Sequence, residues 1–406
     1  MLLILIGGHF ALAPRAQKEA AAAKAAGFRV VVRGVWWDTR FAAEDLELAA
    51  RIEVDVVPIV DLRERGSSSY LFRFKQRLAR LMYERLGIVT SRSMGIGAQE
   101  MLREVMRLMP DLTMVHSEAG LWVGNELLRH GFRVGVDFED WFSEDLPQAD
   151  RKGRPVAEIK RLERKLLSKA NPVLTTTRVM AEAMAADAEV ERVPTVIPNC
   201  FPWSGAPVPG EGASDERDPK AVSFYWFSQT IGPGRGLETL ANSLSQLRGN
   251  WELHLRGNMR AYGAWFESVF PTEIRDRVKV HAPVPNLELA ARSASHDVGL
   301  ALEVPYCPNK NLTASNKIFE YLRCGLAVIA TSTQGQLEVM ESCPDAGWVI
   351  PPDDPVALAE VMQRCLHDRS GLAEARSKAL AAADRVWAWE RFETKLGYAL
   401  LEAANA

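Results

Sequence analysis

The segment NLTASNKIFEYLRCG, 311–325, has residue types and spacing suited to holding a diphosphate. A loop of small polar residues runs into a helical pattern. Free backbone N–H groups and the positive end of the helix dipole therefore meet at its start. Lys317 adds a full positive charge there. Asn316, Lys317 and Glu320 stand three or four apart and share one helical face, and a carboxylate one turn in, at Glu320, can accept hydrogen bonds from a ribose diol. Ile318 and Leu322 point elsewhere, as core residues should. The competing reading is a surface lysine in an i,i+3 ion pair with Glu320.

A second segment, WFSQTIGPGRGLETL at 226–240, follows an apolar run. Gly232, Gly234 and Gly236 free the backbone to approach a ligand, and Arg235 can grip a phosphate with its planar fork. A plain glycine turn with a solvated arginine is the alternative. In the first half of the chain, LTMVHSE places His116 and Glu118 at the end of a strand-like run. A lone histidine there is more often structural than chemical. DFEDWFSED, 137–145, packs five acidic residues around three aromatics. Asp137, Glu139 or Asp140 could bind or activate an acceptor hydroxyl, or the run could be an acidic helix N-terminus favoured by the dipole.

YLFRFKQRLARLMYERLG, 70–87, is a basic amphipathic helix, with Leu71, Phe74, Leu78 and Leu81 in one stripe and Arg73, Arg77 and Arg80 in another. Such helices can lie on anionic membranes. The favoured expectation is a solvated basic face over a core stripe.

These segments need strands and helices to position them. Runs at 2–6, 29–35, 54–60, 112–118, 133–139, 172–177 and 195–199 read as strands, with helical segments between most of them, the first at about 15–26. Continuous apolar runs alternating with helices indicate a parallel sheet covered on both faces. FPWSGAPVPGEGASDERDP, 201–219, breaks the pattern and reads as a linker. The alternation then restarts at 221–227, 251–257, 278–284, 297–304, 327–331 and 347–350, with a helix at about 355–368. The expected class is α/β, with two Rossmann-like doubly wound domains whose default ligand site is a central cleft beyond the carboxyl ends of the strands.

The 406 residues suffice for two such domains, and a formal net charge of −3 gives no global reason to expect nucleic acid as a partner. The five cysteines are odd in number and form no CxxC pair, which argues against a zinc site or disulfide framework and fits a reducing cytoplasm. MLLILIGG lacks a basic region before its apolar run, so it reads as a buried strand ending in the Gly7–Gly8 turn rather than as a signal peptide. No apolar stretch is long enough to span a bilayer. The first turn, GGHFALAP, does not form GxGxxG, which disfavours a dinucleotide oxidoreductase.

Against this background the second half resembles the donor-binding domain of family 4-like retaining glycosyltransferases of the GT-B fold. GPGRGLETL is similar to their glycine-rich loop, and NKIFEYLRCGLAVIA to their donor helix. TVIPN resembles their VIPN segment, and LERKLLSKANPVLTTTRVMAEAMA a helix–strand unit ahead of it. The resemblance implies an acceptor domain at 1–200, a linker at 201–219 and a donor domain at 220–386. A C-terminal helix at 387–406 would cross back onto the first domain.

It also implies roles. Arg235 and Lys317 would hold the donor diphosphate, joined by Gly234 and Gly236, and Glu320 would hold the ribose. Thr313, Ser315 and Asn316 would present amides to the distal phosphate and the sugar. His116 would lie beside the transferred sugar, with Gly8, Glu118, Asp137, Glu139 and Asp140 on the acceptor side. The expected reaction moves a sugar from a nucleoside diphosphate donor to a hydroxyl acceptor, a glycan free or lipid-linked, with no metal or other cofactor. Two departures stand out: Leu312 occupies the place of a first glutamate, and Gln229 the place of an arginine. Arg256 could replace that lost charge. The departures leave open a second class, a nucleotide-sugar-binding partner subunit without catalysis.

Overall fold

The apolar runs become strands because their β-branched and leucine side chains fill both faces of two buried sheets. In the computed structural model, residues 1–64, 66–207 and 216–406 are described. Part of the expected linker, 208–215, lies outside them. The chain divides into two units, Met1–Pro198 with Arg391–Ala406, and Asn199–Glu390.

The first unit carries β1 (Leu2–Leu5), β2 (Val30–Trp36), β3 (Asp55–Asp61), β4 (Leu112–Val115), β5 (Val134–Phe138), β6 (Val173–Thr175) and β7 (Thr195–Val196). They form one sheet in the order β3-β2-β1-β4-β5-β6-β7, and every pairing is parallel. The order reverses direction between β1 and β4. That switch point is where an open α/β sheet leaves a crevice at its carboxyl edge. The residues following β1 and β4 are Gly7–Gly8 and His116. β4 stops earlier than the apolar run suggests: His116 already precedes a helix, Ser117–Arg129, and its N–H is tied to the Leu5 carbonyl at 3.0 Å.

The second unit carries β8 (Val222–Thr230), β9 (Trp251–Asn258), β10 (Val278–His281), β11 (Val298–Ala301), β12 (Ala327–Thr331) and β13 (Gly347–Ile350). These form a second parallel sheet in the order β10-β9-β8-β11-β12-β13. Its switch point falls between β8 and β11. The glycine-rich loop follows β8, and Leu302–Glu303 follows β11. Phe224, Trp226, Trp251, Leu253 and Leu300 anchor the core of this unit.

The final helix spans Trp389–Asn405. Its residues from Arg391 onward belong with the first unit, where Leu396, Leu400 and Ala403 are buried. A Cβ on Gly397 would sit 3.5 Å from that of Ala26, which caps the end of the helix after β1. All five cysteines are buried thiols.

One expectation fails. The helix at Ser67–Leu86 turns Ser69, Phe72, Gln76 and Ala79 toward the protein. The stripe expected to be core faces solvent: Leu71, Phe74, Leu78 and Leu81 are 53%, 61%, 46% and 49% exposed. The 3.6-residue period fixed the stripe correctly, but a small-residue and glutamine face does the packing.

Candidate active site

In the second unit, Ser315 caps the helix Asn316–Arg323, its Oγ accepting from the Lys317 N–H at 3.4 Å. The Ser315 hydroxyl and carbonyl take up the Lys317 and Ile318 amides, which fixes the start of the helix. The Lys317 ammonium does not reach Glu320. It donates to Glu303 Oε1 at 2.7 Å and lies 5.8 Å from the Trp226 ring centroid. Burial pushes the Glu303 carboxyl up, but Lys317 and then Lys310 outweigh it and hold its pKa down at about 2. Glu320 is buried and pairs with Arg323 at 3.7 Å. The Lys317–Glu320 ion pair weighed from the sequence is therefore replaced by two separate pairs. Ile318 and Leu322 are fully buried, as expected.

The glycine-rich loop comes to the same place. Gly236 has φ +75°, and a Cβ on it would lie 2.4 Å from the carbonyl oxygen of Leu302, the neighbour of Glu303. Only glycine permits that approach. Gly236, Glu303, Val304, Thr331 and Asp353 line one recess. Gly234 also has positive φ, and Arg235 donates to Ser228 Oγ at 2.9 Å from an exposed position. Thr313 Oγ1 donates to the Asn309 carbonyl at 2.8 Å, and Asn199 Nδ2 donates to Asn316 Oδ1 at 2.9 Å. The helix start, the loop and the Asn199 segment thus converge.

Arg256 is placed differently. It is buried in β9, where it donates to Tyr225 Oη at 3.1 Å and the Ala282 carbonyl at 2.8 Å. Its guanidinium braces three neighbouring strands, so it is not an open replacement for the arginine missing at Gln229. Leu312 is buried.

In the first unit, His116, Asp137 and Glu139 gather at the carboxyl edge of β4 and β5. His116 is 4% exposed, and its Nε2 lies 3.4 Å from Oε2 of Glu19, which is 1% exposed. Asp137 accepts from Arg15 Nε at 2.6 Å, and Arg15 also donates to the Ile197 carbonyl. Burial opposes a charged His116 ring, but Glu19, followed by Asp137 and Glu139, hold its pKa up at about 9. Burial lifts the Glu139 carboxyl. Two cations, Arg15 and His116, therefore face the carboxylates of Glu19 and Asp137. One ligand-type atom from each of Glu19, His116 and Asp137 lies within 4.8 Å of the others.

DFEDWFSED does not open a helix. Its first two residues end β5, and only a single 3-10 turn, Phe142–Glu144, follows. The dipole explanation for its acidity therefore falls. Trp141 and Phe142 are buried instead, while Asp140 is half-buried. Glu118 turns away to Arg154, which also pairs with Asp145. Gly8 sits under Trp37: a Cβ there would lie 2.6 Å from the indole. Trp37 is 44% exposed, and its backbone N–H donates to His9 Nε2 at 3.0 Å. His9 is held in turn by buried Asp45 at 3.0 Å.

Sequence reasoning missed Arg15, Glu19, Trp37 and Glu303. Arg15 and Glu19 had one visible signal, an i,i+4 pair on a helix otherwise rich in alanine.

Two such parallel sheets, each with its ligand-type residues at a switch point, define the GT-B class of glycosyltransferase folds. Residues 224–368 match the family model described as Glycosyl transferases group 1, so the second unit carries a glycosyltransferase domain of that group. No curated protein matches the sequence. Among solved structures, the chain is similar to Anabaena Alr3699/HepE in complex with UDP and glucose, with 16% identity, 99% of each chain covered and a TM-score of 0.68. It is also similar to the sucrose-phosphate synthase (tll1590) of Thermosynechococcus elongatus, with 18% identity, 99% of each chain covered and a TM-score of 0.67. WaaG, a glycosyltransferase involved in lipopolysaccharide biosynthesis, matches at 14% identity over 98% of this chain and 99% of its own, with a TM-score of 0.60.

Proposed function

We propose that this chain is a retaining glycosyltransferase that moves a sugar from a nucleoside diphosphate donor to a hydroxyl acceptor in glycan or glycoconjugate synthesis. The second unit would bind the donor and the first the acceptor. The observation that carries this reading is the capped start of the helix at Asn316–Arg323, with Lys317 charged beside it and the Gly236 loop pressed against Leu302–Glu303. The helix dipole and two cations suit a diphosphate that gains charge as its bond to the sugar breaks. That HepE has been crystallised with UDP-glucose supports the same donor class.

In this reading the acceptor oxygen bonds to the anomeric carbon on the face that the diphosphate leaves. The acceptor proton passes to a departing phosphate oxygen, while Lys317 and Arg235 stabilise the charge released. Glu320 would bind the ribose, and Asp137, Glu139 or Asp140 the acceptor. We place the reaction outside metal catalysis, because Arg15 and His116 already balance Glu19 and Asp137 within the chain.

The exposed apolar stripe at Leu71, Phe74, Leu78 and Leu81 supports peripheral docking on the inner face of a membrane and a lipid-linked acceptor. Arg73, Lys75, Arg77, Arg80 and Arg85 flank it against the single acid Glu84. Among the described residues no helix is long and apolar enough to cross a membrane.

The test is a thermal-shift panel of UDP-, GDP- and ADP-sugars, followed by transfer to carbohydrate acceptors with the sugar that stabilises the protein. Saturation at about 100 times the dissociation constant should add about 2.7 kcal/mol. No response from any nucleotide sugar would overturn the donor site. A response without transfer or donor hydrolysis would favour the non-catalytic partner subunit.

A further inference from the structure

Glu19 and His116 meet in a buried cluster that also holds Arg15, Asp137 and Glu139. The helix at Pro14–Ala25 turns Arg15, Ala16, Glu19, Ala20 and Ala23 inward. The alanines let it lie close on the sheet, which carries Glu19 to the end of β4. Both Glu19 carboxylate oxygens are buried without a hydrogen-bond partner, and so is His116 Nε2. Their 3.4 Å separation is an ion-pair distance, slightly longer than a hydrogen bond. A buried carboxylate left unpaired is costly. Its retention beside a histidine at the switch point therefore calls for a purpose.

We propose that Glu19 is a positioning residue for His116, engaging Nε2 so that the ring stands as an imidazolium with Nδ1 available to a ligand oxygen in the first unit. The proposal rests on the reading of the first unit as the one that binds the acceptor. The groups facing the ring are Glu19 from the first helix and Asp137 and Glu139 from the end of β5. Arg15 lies against Asp137 and offsets much of that carboxylate. Glu19 is the facing carboxylate that stands at ion-pair distance from the ring, although the positive charge of Arg15 reaches it too. An imidazolium donates from both nitrogens, so Nδ1 can give a hydrogen bond to a ligand oxygen while Nε2 stays with Glu19. Glu19 touches no reacting atom and acts only through the ring.

The test follows the His116 imidazole by NMR titration, in wild type and in Glu19→Gln and Glu19→Asp, each checked for folding by its thermal melt. In wild type the midpoint should lie well above the ordinary histidine value of about 6.5. In Glu19→Gln it should fall by about one pH unit or more, because burial is then opposed only by Asp137, which Arg15 offsets, and Glu139, and Glu19→Asp should restore part of it. UDP affinity, measured in parallel, should not change. Where transfer is measurable, the high-pH limb of kcat should move down with the NMR midpoint while donor KM stays constant.

A wild-type midpoint at or below about 6.5 would overturn the proposal, and so would a midpoint unmoved in Glu19→Gln. If neither Glu19 variant folds, the wild-type midpoint alone decides. One bound divalent ion per chain, whose removal by EDTA shifts the midpoint, would also overturn it in favour of a cation site. The NMR readout does not depend on glycosyl transfer. A failure of the donor-site reading therefore shows in UDP binding, and a failure of the Glu19 role shows in the titration.

Discussion

The Lys317 ammonium is already engaged: it donates to Glu303 at 2.7 Å, from the first turn of the helix Asn316–Arg323 to the second residue beyond β11. This pair fixes the cation at the start of the helix, and an incoming diphosphate would share it. Lys317→Ala and Arg235→Ala should each weaken UDP binding. Losing a charge-assisted hydrogen bond costs roughly 1.5–3 kcal/mol, or about 10- to 150-fold in affinity. Calorimetry with UDP checks this, and unchanged affinity in both variants would remove the phosphate site from this helix.

The same pair makes an acid-stability prediction. Glu303 titrates at about 2 in the folded chain, below its ordinary value of 4.5. A depressed carboxyl contributes stability above the unfolded value, and the contribution is lost as the pH falls through the folded one. The window is therefore about pH 4.5 to 2. The full difference corresponds to about 3 kcal/mol, which partial exposure of the pair brings nearer to about 2 kcal/mol. Glu303→Gln should flatten the acid limb of stability by that amount, measured by urea unfolding from pH 7 to 2.5. An acid limb as steep as wild type would show that the pair carries no such linkage.

The two glycines flanking Arg235 should behave differently. Both have positive φ, but a Cβ on Gly234 meets open space, whereas one on Gly236 strikes the Leu302 carbonyl oxygen at 2.4 Å. Gly234→Ala should cost about 1 kcal/mol, the left-handed backbone penalty alone. Gly236→Ala should cost several times more and also displace the loop, so UDP affinity should fall with it. Chemical denaturation and calorimetry on both variants test the contrast. Equal penalties would mean that the loop does not need its contact with Leu302.

The alternation of apolar runs with helical segments made both sheets legible, because buried parallel strands need apolar side chains on both faces. NKIFEYL was legible as a helix for a related reason: its apolar residues recur at helical spacing. Glu303 was hidden inside the run DVGLALEV, where a strand reading carries on to its end, although β11 stops at Ala301. Arg15 and Glu19 were hidden because an i,i+4 charge pair on an alanine-rich helix is ordinarily solvated. Their partners, Asp137 and His116, lie about a hundred residues away in sequence. The helix at Ser67–Leu86 shows the limit of periodicity most clearly. The pattern identified an apolar stripe, but the side that packs was decided by Ser69, Phe72, Gln76 and Ala79.

His116→Ala separates the two units by their roles. The residue is buried at the switch point of the first sheet, in the other unit from Lys317. Turnover should fall far more than donor affinity. Steady-state kinetics with matched UDP calorimetry is the measurement. Turnover retained within about threefold is less than about 1 kcal/mol of barrier, and would make His116 structural.

The exposed face of the helix at Ser67–Leu86 yields a prediction about where the protein works. Phe74, at 61% exposure, and Leu71, Leu78 and Leu81 form an apolar strip on the side away from the packed residues. Arg73, Arg77 and Arg80 run along one edge of the strip, in a chain whose net charge is −3. An anionic bilayer would cover the strip and attract the arginines at once, at about 1 kcal/mol for each basic residue near the surface. Replacing all three arginines with glutamate should remove roughly 3 kcal/mol of attraction and add repulsion. Flotation with vesicles of anionic and neutral lipid should show wild type bound only to the anionic ones, and the triple variant bound to neither. Phe74→Ser with Leu78→Ser should weaken binding at low salt without removing its charge dependence, since the apolar and electrostatic contributions are separate. UDP affinity should stay constant throughout, because all five positions lie in the first unit. If wild type ignores anionic vesicles at low salt, the lipid-docking reading fails. Concentration-dependent association that depends on Phe74 would then assign the strip to a second copy of the chain.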